Sequence, residues 1–199
     1  MAGDAHIAAK HYRKLIRAQP TMTNALLEGA RAFTLSGNPE AARKALKKVE
    51  SMNGLSTEIK SHIASGYFKM GDYEKAHDVL SGYWEKDREI AIGMALVEVC
   101  ERLRRVDQAL KILEAIGTKH PRAPLMKGLI LKNKGDIDGA MATLSLIESE
   151  QVKGVDSKTW YRATLILADC YEKQGLYKDA WDRVLAANKK MLQIGRAHV

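Results

Sequence analysis

The chain has 199 residues, of which 46% are hydrophobic and 28% are charged, a composition that can bury a sizeable core and argues against wholesale disorder. No stretch reaches the roughly 18 consecutive apolar residues that a membrane span needs, and the first twenty residues lack the apolar core of a signal peptide. Two cysteines cannot form a disulfide framework and favour a reducing compartment, so we expect a cytoplasmic protein. The net charge of +8 favours anionic partners without identifying one.

Six segments of the chain share a turn that is followed by an alanine at a fixed offset. They are GDAHIA from Gly3, GNPEAA from Gly37, GDYEKA from Gly71, RRVDQA from Arg104, GDIDGA from Gly135 and GLYKDA from Gly175. The successive alanines Ala8, Ala42, Ala76, Ala109, Ala140 and Ala180 are 34, 34, 33, 31 and 40 residues apart. A period near 34 residues is typical of a helix–turn–helix repeat.

The residues around each turn follow the same register. Apolar residues stand four and seven positions after most of the alanines, so each second helix has an apolar stripe on one face. In each first helix, a small residue lies seven positions before the turn and a large one four before it. Small side chains opposite large ones allow two helices to pack closely.

The turn residues themselves indicate where the helices stop and start. Glycine ends the first helix of each pair because it accepts a left-handed conformation that other residues resist. The exception is the turn at Arg104, where arginine stands in place of glycine. The residues after the glycines are predicted to cap the second helices through a side-chain oxygen, and these are Asp4, Asn38, Asp72 and Asp136. Pro39 then fits the first helical position. We therefore interpret these aspartates as structural and not as catalytic acids.

This pattern resembles the tetratricopeptide repeat over essentially the whole chain. The resemblance implies an all-α fold, a right-handed superhelix of antiparallel helix pairs. We expect one array, with a leading single helix at 1–20, repeat units at 21–54, 55–88, 89–120, 121–153 and 154–194, and a tail at 195–199. The fourth unit is shortened and residues 151–158 form an insertion, so helix ends near residues 120 and 155 are the hardest to place.

The first predicted helix, from Asp4 to Gln19, has no partner helix. It would expose a mostly apolar row of residues along one side, namely Ile7, Ala8, His11, Tyr12 and Leu15. Two hypotheses fit this pattern. Either the chain is a piece of a longer protein or self-associates through this helix, or the helix is a natural single-helix cap.

The last segment, AWDRVLAAN from Ala180 to Asn188, carries a second resemblance over about twenty residues. It is similar to the final repeat of bacterial proteins that join a tetratricopeptide array to a sulfotransferase domain. The family's phosphate-binding loop is not in this sequence. The resemblance implies a noncatalytic array that regulates or docks, and the alternative is a free-standing scaffold or adaptor.

No catalytic signature, phosphate-binding loop, CxxC motif or metal-binding histidine pair occurs in the sequence. We therefore expect no enzyme activity, no cofactor and no metal in this chain. The six histidines are scattered and are expected on the surface. Cys100 and Cys170 occupy core positions two units apart, so they are predicted to be buried thiols and not a disulfide.

A partner is expected on the first helices, which line the concave side of a helical solenoid. The candidate groove residues are Asn24, Leu27, Arg31, Phe68, Lys69, Met94, Glu98, Arg102, Lys132, Asn133, Asp169 and Lys173. Lys69, Arg102, Asn133 and Lys173 occupy equivalent positions, and such a row of donors could bind an acidic peptide or a carboxylate. The alternative is an ordinary solvated helix face.

A chaperone and a nucleic acid are two further kinds of partner. Some tetratricopeptide domains clamp a C-terminal carboxylate with lysine and asparagine, but the matching positions here hold Leu27, Arg31 and His62, which disfavours a chaperone adaptor. Nucleic acid could explain clusters such as Lys47-Lys48 and Lys189-Lys190. No stacking aromatic platform accompanies these clusters, so nucleic-acid binding is the minor hypothesis.

Overall fold

A computed structural model describes residues 2–196 of the chain. Within this range every regular element is helical: there are eleven α-helices and one short 3₁₀ turn, Gly117–Lys119. The helices are α1 Ala2–Ala18, α2 Thr23–Leu35, α3 Pro39–Glu50, α4 Thr57–Lys69, α5 Tyr73–Asp87, α6 Ile90–Arg102, α7 Val106–Ile116, α8 Ala123–Lys134, α9 Ile137–Glu148, α10 Ser157–Lys173 and α11 Tyr177–Arg196. The all-α prediction is confirmed. Of the expected tail 195–199, residues 197–199 lie outside the described residues.

The chain forms two compact units, Met1–Arg105 with α1 to α6 and Val106–Val199 with α7 to α11. In the first unit each helix packs against the next, and α2, α4 and α6 also contact one another in series. In the second unit α8 packs on α9, α9 on α10 and α10 on α11, while α8 also contacts α10. Each unit is therefore a stack of helix pairs in which alternate helices are neighbours.

The alanines that mark the repeat are core residues. Ala42, Ala76, Ala109 and Ala140 have no exposed surface, and Ala180 is also buried. Ala8 is only half-buried, because no helix precedes α1 in the described part of the chain. On the same helix Ile7 and Leu15 are exposed, as the sequence predicts.

The turns confirm most of the predicted chemistry. Gly37, Gly71, Gly135 and Gly175 have positive φ angles, and Arg104 adopts the same conformation with φ of 58°. The Asn38 side chain accepts a hydrogen bond from the Ala41 amide at 3.1 Å, and Asp136 accepts one from the Gly139 amide at 2.9 Å. Glycine is thus not obligatory at this turn, although arginine there is strained.

Two predicted caps are wrong. α1 begins at Ala2, so Gly3 is helical and Asp4 lies in the first turn of the helix. Asp72 stands at the start of α5 but caps no amide there, because its carboxylate accepts a hydrogen bond from the Arg43 Nε at 3.0 Å. The side chain therefore links α3 to the turn before α5.

Candidate functional site

A groove in the first unit lies between α2 and α4 and has a volume of about 440 Å³. Leu27, Arg31 and Lys69 line it, so the structure brings together three of the residues predicted from the sequence. The other lining residues are Glu28, Ala30, Thr34, Leu35, Leu46, His62, Ser65 and Gly66. We call this surface the α2–α4 groove.

The α2–α4 groove combines an apolar floor with a cationic rim. Leu46 is buried at its base, and Leu35 is 67% exposed at its edge. Arg31 lies only 3.9 Å from Glu28, and both side chains are more than half exposed, so this ion pair is weak. Lys69 is exposed and forms no ion pair with any described residue. An apolar side chain with a neighbouring carboxylate would complement this surface.

Gly66 lines the α2–α4 groove beside Leu46. A Cβ atom at this position would lie 2.8 Å from the Leu46 Cδ1 atom, closer than real Cβ contacts allow. The missing side chain lets α4 approach α3 and leaves the backbone of α4 as one wall of the groove.

The other predicted residues of the first unit lie outside this groove. The Arg102 guanidinium sits over the Phe68 ring at 5.8 Å, and Phe68 packs edge-on against Tyr73 with ring centroids 5.1 Å apart. Asn24 and Glu98 are exposed on α2 and α6. Met94 was expected on the groove surface, but this is wrong because only 8% of its surface is exposed and it belongs to the core.

The second unit places the remaining predicted residues on α8 and α10. Asp169 accepts a hydrogen bond from the Lys132 ammonium group and lies 3.9 Å from the Lys173 ammonium group. Asn133 is exposed beside them on α8. The expected row of available donors is therefore not uniform: Lys69 is unpaired among the described residues, while Lys173 already faces a carboxylate.

Known proteins share this arrangement of helices. Residues 2–53 match the family model described as tetratricopeptide repeat. The structure also superimposes on the nearly identical TPR-like repeats of a kinesin light chain-type protein from Podosopora anserina, with a TM-score of 0.64, 16% identity, and coverage of 89% of this chain and 99% of that one. The chain has the fold of a tetratricopeptide-repeat (TPR) solenoid.

Two other solved structures share this TPR-like fold. BtubC (BKLC) from P. vanneervenii has a TM-score of 0.65 and 18% identity, and the match covers 98% of this chain and 91% of that one. Pseudomonas aeruginosa pilF has a TM-score of 0.62 and 16% identity, with 99% and 91% covered. No curated protein matches the sequence significantly. At these identities the likeness establishes the fold alone.

His62 is the lining residue of the α2–α4 groove that the candidate set lacks. It stands seven positions before Lys69, a spacing that puts both side chains on one face of α4. The spacing between His62 and Lys69 in the sequence is therefore the feature that points to His62 as a groove residue.

Both cysteines and one histidine lie in the core of the TPR-like fold. Cys100 and Cys170 are buried and unpaired, as predicted, and burial raises the pKa of Cys100 to about 11 and also raises the pKa of Cys170. His77 is buried, which corrects the expectation that all the histidines lie on the surface. In the described part of the chain, no cluster of His, Cys, Asp or Glu could hold a metal ion.

Among the described residues, no helix combines the length and the apolar character that a membrane span needs.

Proposed function

We propose that this protein is a protein–protein interaction scaffold that binds an acidic peptide segment with an apolar anchor residue in the α2–α4 groove. The observation that carries the proposal is the pairing of an open apolar floor with Arg31 and Lys69 at one rim. Peptides bind tightly where an apolar side chain is buried, while rim charges select the partner and speed its association. The TPR-like fold supports a scaffold function in general.

Charge reversal at the rim tests this proposal. The probe is a fluorescein-labelled peptide of alternating leucine and glutamate, compared with a peptide in which lysine replaces glutamate. We expect the Arg31→Glu/Lys69→Glu variant to bind the acidic peptide about tenfold more weakly than the unchanged protein in fluorescence anisotropy, because two favourable charges become repulsive. The basic peptide should bind weakly to the unchanged protein.

The matched control is Lys44→Glu/Lys48→Glu on α3. Both lysines are exposed and lie outside the groove. Because each variant replaces two cationic residues with glutamate, the control has the same net charge as the test variant. If the two variants bind the acidic peptide equally, the attraction is a general charge effect and the groove is not the site. If the test variant alone loses affinity, adding Arg102→Glu to it shows whether the bound peptide extends towards α6.

The link to a sulfotransferase is a finer proposal, and its support is the pattern AWDRVLAAN alone. In the structure Ala180 and Ala187 of this pattern are buried, while Trp181 is exposed. A strand–loop–helix phosphate site encoded after Val199 in the parent gene would support the link, and a stop codon there would end it. The cytoplasmic location also remains a proposal, supported by two unpaired thiols.

A further inference from the structure

The last helix, α11, carries a row of large apolar side chains that no described residue covers. Tyr177, Trp181, Leu185 and Leu192 are 69%, 63%, 50% and 65% exposed. Spacings of four, four and seven residues place all four side chains on one face of the helix. We call this face the α11 stripe. Large contiguous exposed apolar surface of this kind marks an interaction site more often than single exposed residues do.

The equivalent face of α9, in the same unit, shows what such a surface contacts. Ile137 and Met141 stand at the positions of Tyr177 and Trp181 relative to the repeat alanine. Both are partly buried and pack against the core cluster to which α10 contributes Leu167. In α9 this face therefore packs against the core that α10 helps to form. In α11 the same face, the α11 stripe, is exposed to solvent.

We propose that the α11 stripe binds the α11 stripe of a second copy of this chain, with the two helices antiparallel. The edge charges argue for this occupant. Asp182 and Lys189 are exposed, seven residues apart, so both lie along the same edge of the stripe. Neither forms an ion pair with a described residue of its own chain. A two-fold axis near Leu185 sets Asp182 of each copy opposite Lys189 of the other.

The same axis also matches the apolar residues. It places Tyr177 of one copy close to Leu192 of the other and brings the two Leu185 side chains together at the centre. In a parallel two-fold arrangement the same edge of the two copies would lie on opposite sides of the interface, so Asp182 and Lys189 of one copy would not meet those of the other. Only the antiparallel arrangement therefore pairs these opposite charges across the interface.

The surface available fits a reversible dimer. With two aromatic and two leucine side chains half to two-thirds exposed, the stripe offers roughly 500 Å² per chain, so a dimer buries about 1,000 Å² before its polar edges are counted. That area stands at the lower end of specific interfaces, and we expect a dissociation constant on the order of micromolar.

Sedimentation velocity over a concentration series, from low micromolar to several hundred micromolar, measures the association. We expect monomers to convert to dimers in this range, and Trp181→Asp to weaken the dimer at least tenfold. The control is Ile7→Asp, which places the same charge on the exposed apolar residue of α1 and should leave the dimer unchanged. Far-UV circular dichroism checks the folding of each variant, and Leu192→Ser serves if Trp181→Asp unfolds.

Charge swapping tests the identity and direction of the partner helix. Asp182→Lys and Lys189→Asp should each weaken the dimer severalfold, and the double variant should restore it, because the cross-chain pairs re-form with reversed signs. A protein that stays monomeric throughout the concentration series would overturn the proposal. So would a dimer that Ile7→Asp disrupts and Trp181→Asp does not, or a double variant that fails to restore association. The α2–α4 groove is on other helices, so loss of the dimer and loss of peptide binding are separate results.

Discussion

Gly93 of α6 lies against the indole ring of Trp84 on α5, and Gly93→Ala perturbs this contact. A Cβ atom at position 93 would lie 2.6, 2.9 and 3.0 Å from the Cζ3, Cε3 and Cη2 atoms of Trp84. The indole is rigid and only 6% exposed, so it cannot move aside without repacking its neighbours. Overpacking of this kind costs about 1–3 kcal/mol.

Alanine also has a higher helix propensity than glycine, which opposes that cost by about 1 kcal/mol in a helix interior. The matched control is Gly82→Ala on α5 in the same compact unit, because no atom lies within 4 Å of a Cβ built there. We expect Gly82→Ala to stabilise by about 0.5–1 kcal/mol and Gly93→Ala to be the less stable variant by about 1–3 kcal/mol.

Urea unfolding followed by far-UV circular dichroism measures both changes as shifts in the transition midpoint. Near-UV circular dichroism follows the packing of the indole itself. If Gly93→Ala raises the midpoint as much as Gly82→Ala does, the close approach of α6 to Trp84 does not restrict the side chain at position 93, and the packing argument is refuted.

Three further predictions concern the turns and the buried thiols. Arg104 has a positive φ angle, so Arg104→Gly should stabilise the fold by up to about 1 kcal/mol in urea unfolding, and an unchanged midpoint would show that this turn is not strained. The Asp156 carboxylate accepts a hydrogen bond from the Thr159 amide at 2.7 Å, which lowers the pKa of Asp156 below its ordinary value of 3.8. The contribution of Asp156 to stability is therefore complete above the ordinary pKa and is lost as the pH falls through the lower pKa of the folded state. Asp156→Asn should reduce the loss of thermal stability at acid pH. Thermal melts that keep the same dependence on pH would contradict this assignment. Cys100 and Cys170 are buried with raised pKa values, so a thiol-specific reagent at neutral pH should react with them only as fast as the protein opens, and immediate reaction in the absence of denaturant would contradict their burial.

The sequence allowed the helix pairs to be predicted because the turns and the core alanines repeat at short range. The failures at Gly3 and Asp4 have a physical cause. A GD pair makes a turn when a helix ends before it, and nothing in the six letters GDAHIA says whether one does. The same motif therefore forms a turn at Gly71 and lies within a helix at Gly3.

Side-chain partners far apart in the sequence could not be predicted. Asp72 is 29 residues from Arg43, and Asp169 is 37 residues from Lys132. The period of the repeat placed Lys69 and Lys173 at equivalent positions, but the partners of each depend on which residue the neighbouring helix presents. In the same way, the repeat predicted that Met94 would lie on the concave side of its first helix, whereas the packing of α6 buries this side chain in the core.

Asp169 pairs with two of the lysines that α8 and α10 present. Its carboxylate already occupies the place beside Lys132 and Lys173 that an acidic side chain of a partner would take. A peptide glutamate would have to displace it, so Asp169 acts as a tethered competitor that is always present at a high local concentration. Neutral or basic segments meet no such competition on α8 and α10. The carboxylate of Asp169 thus makes α8 and α10 a surface that disfavours acidic ligands, although two lysines lie on it.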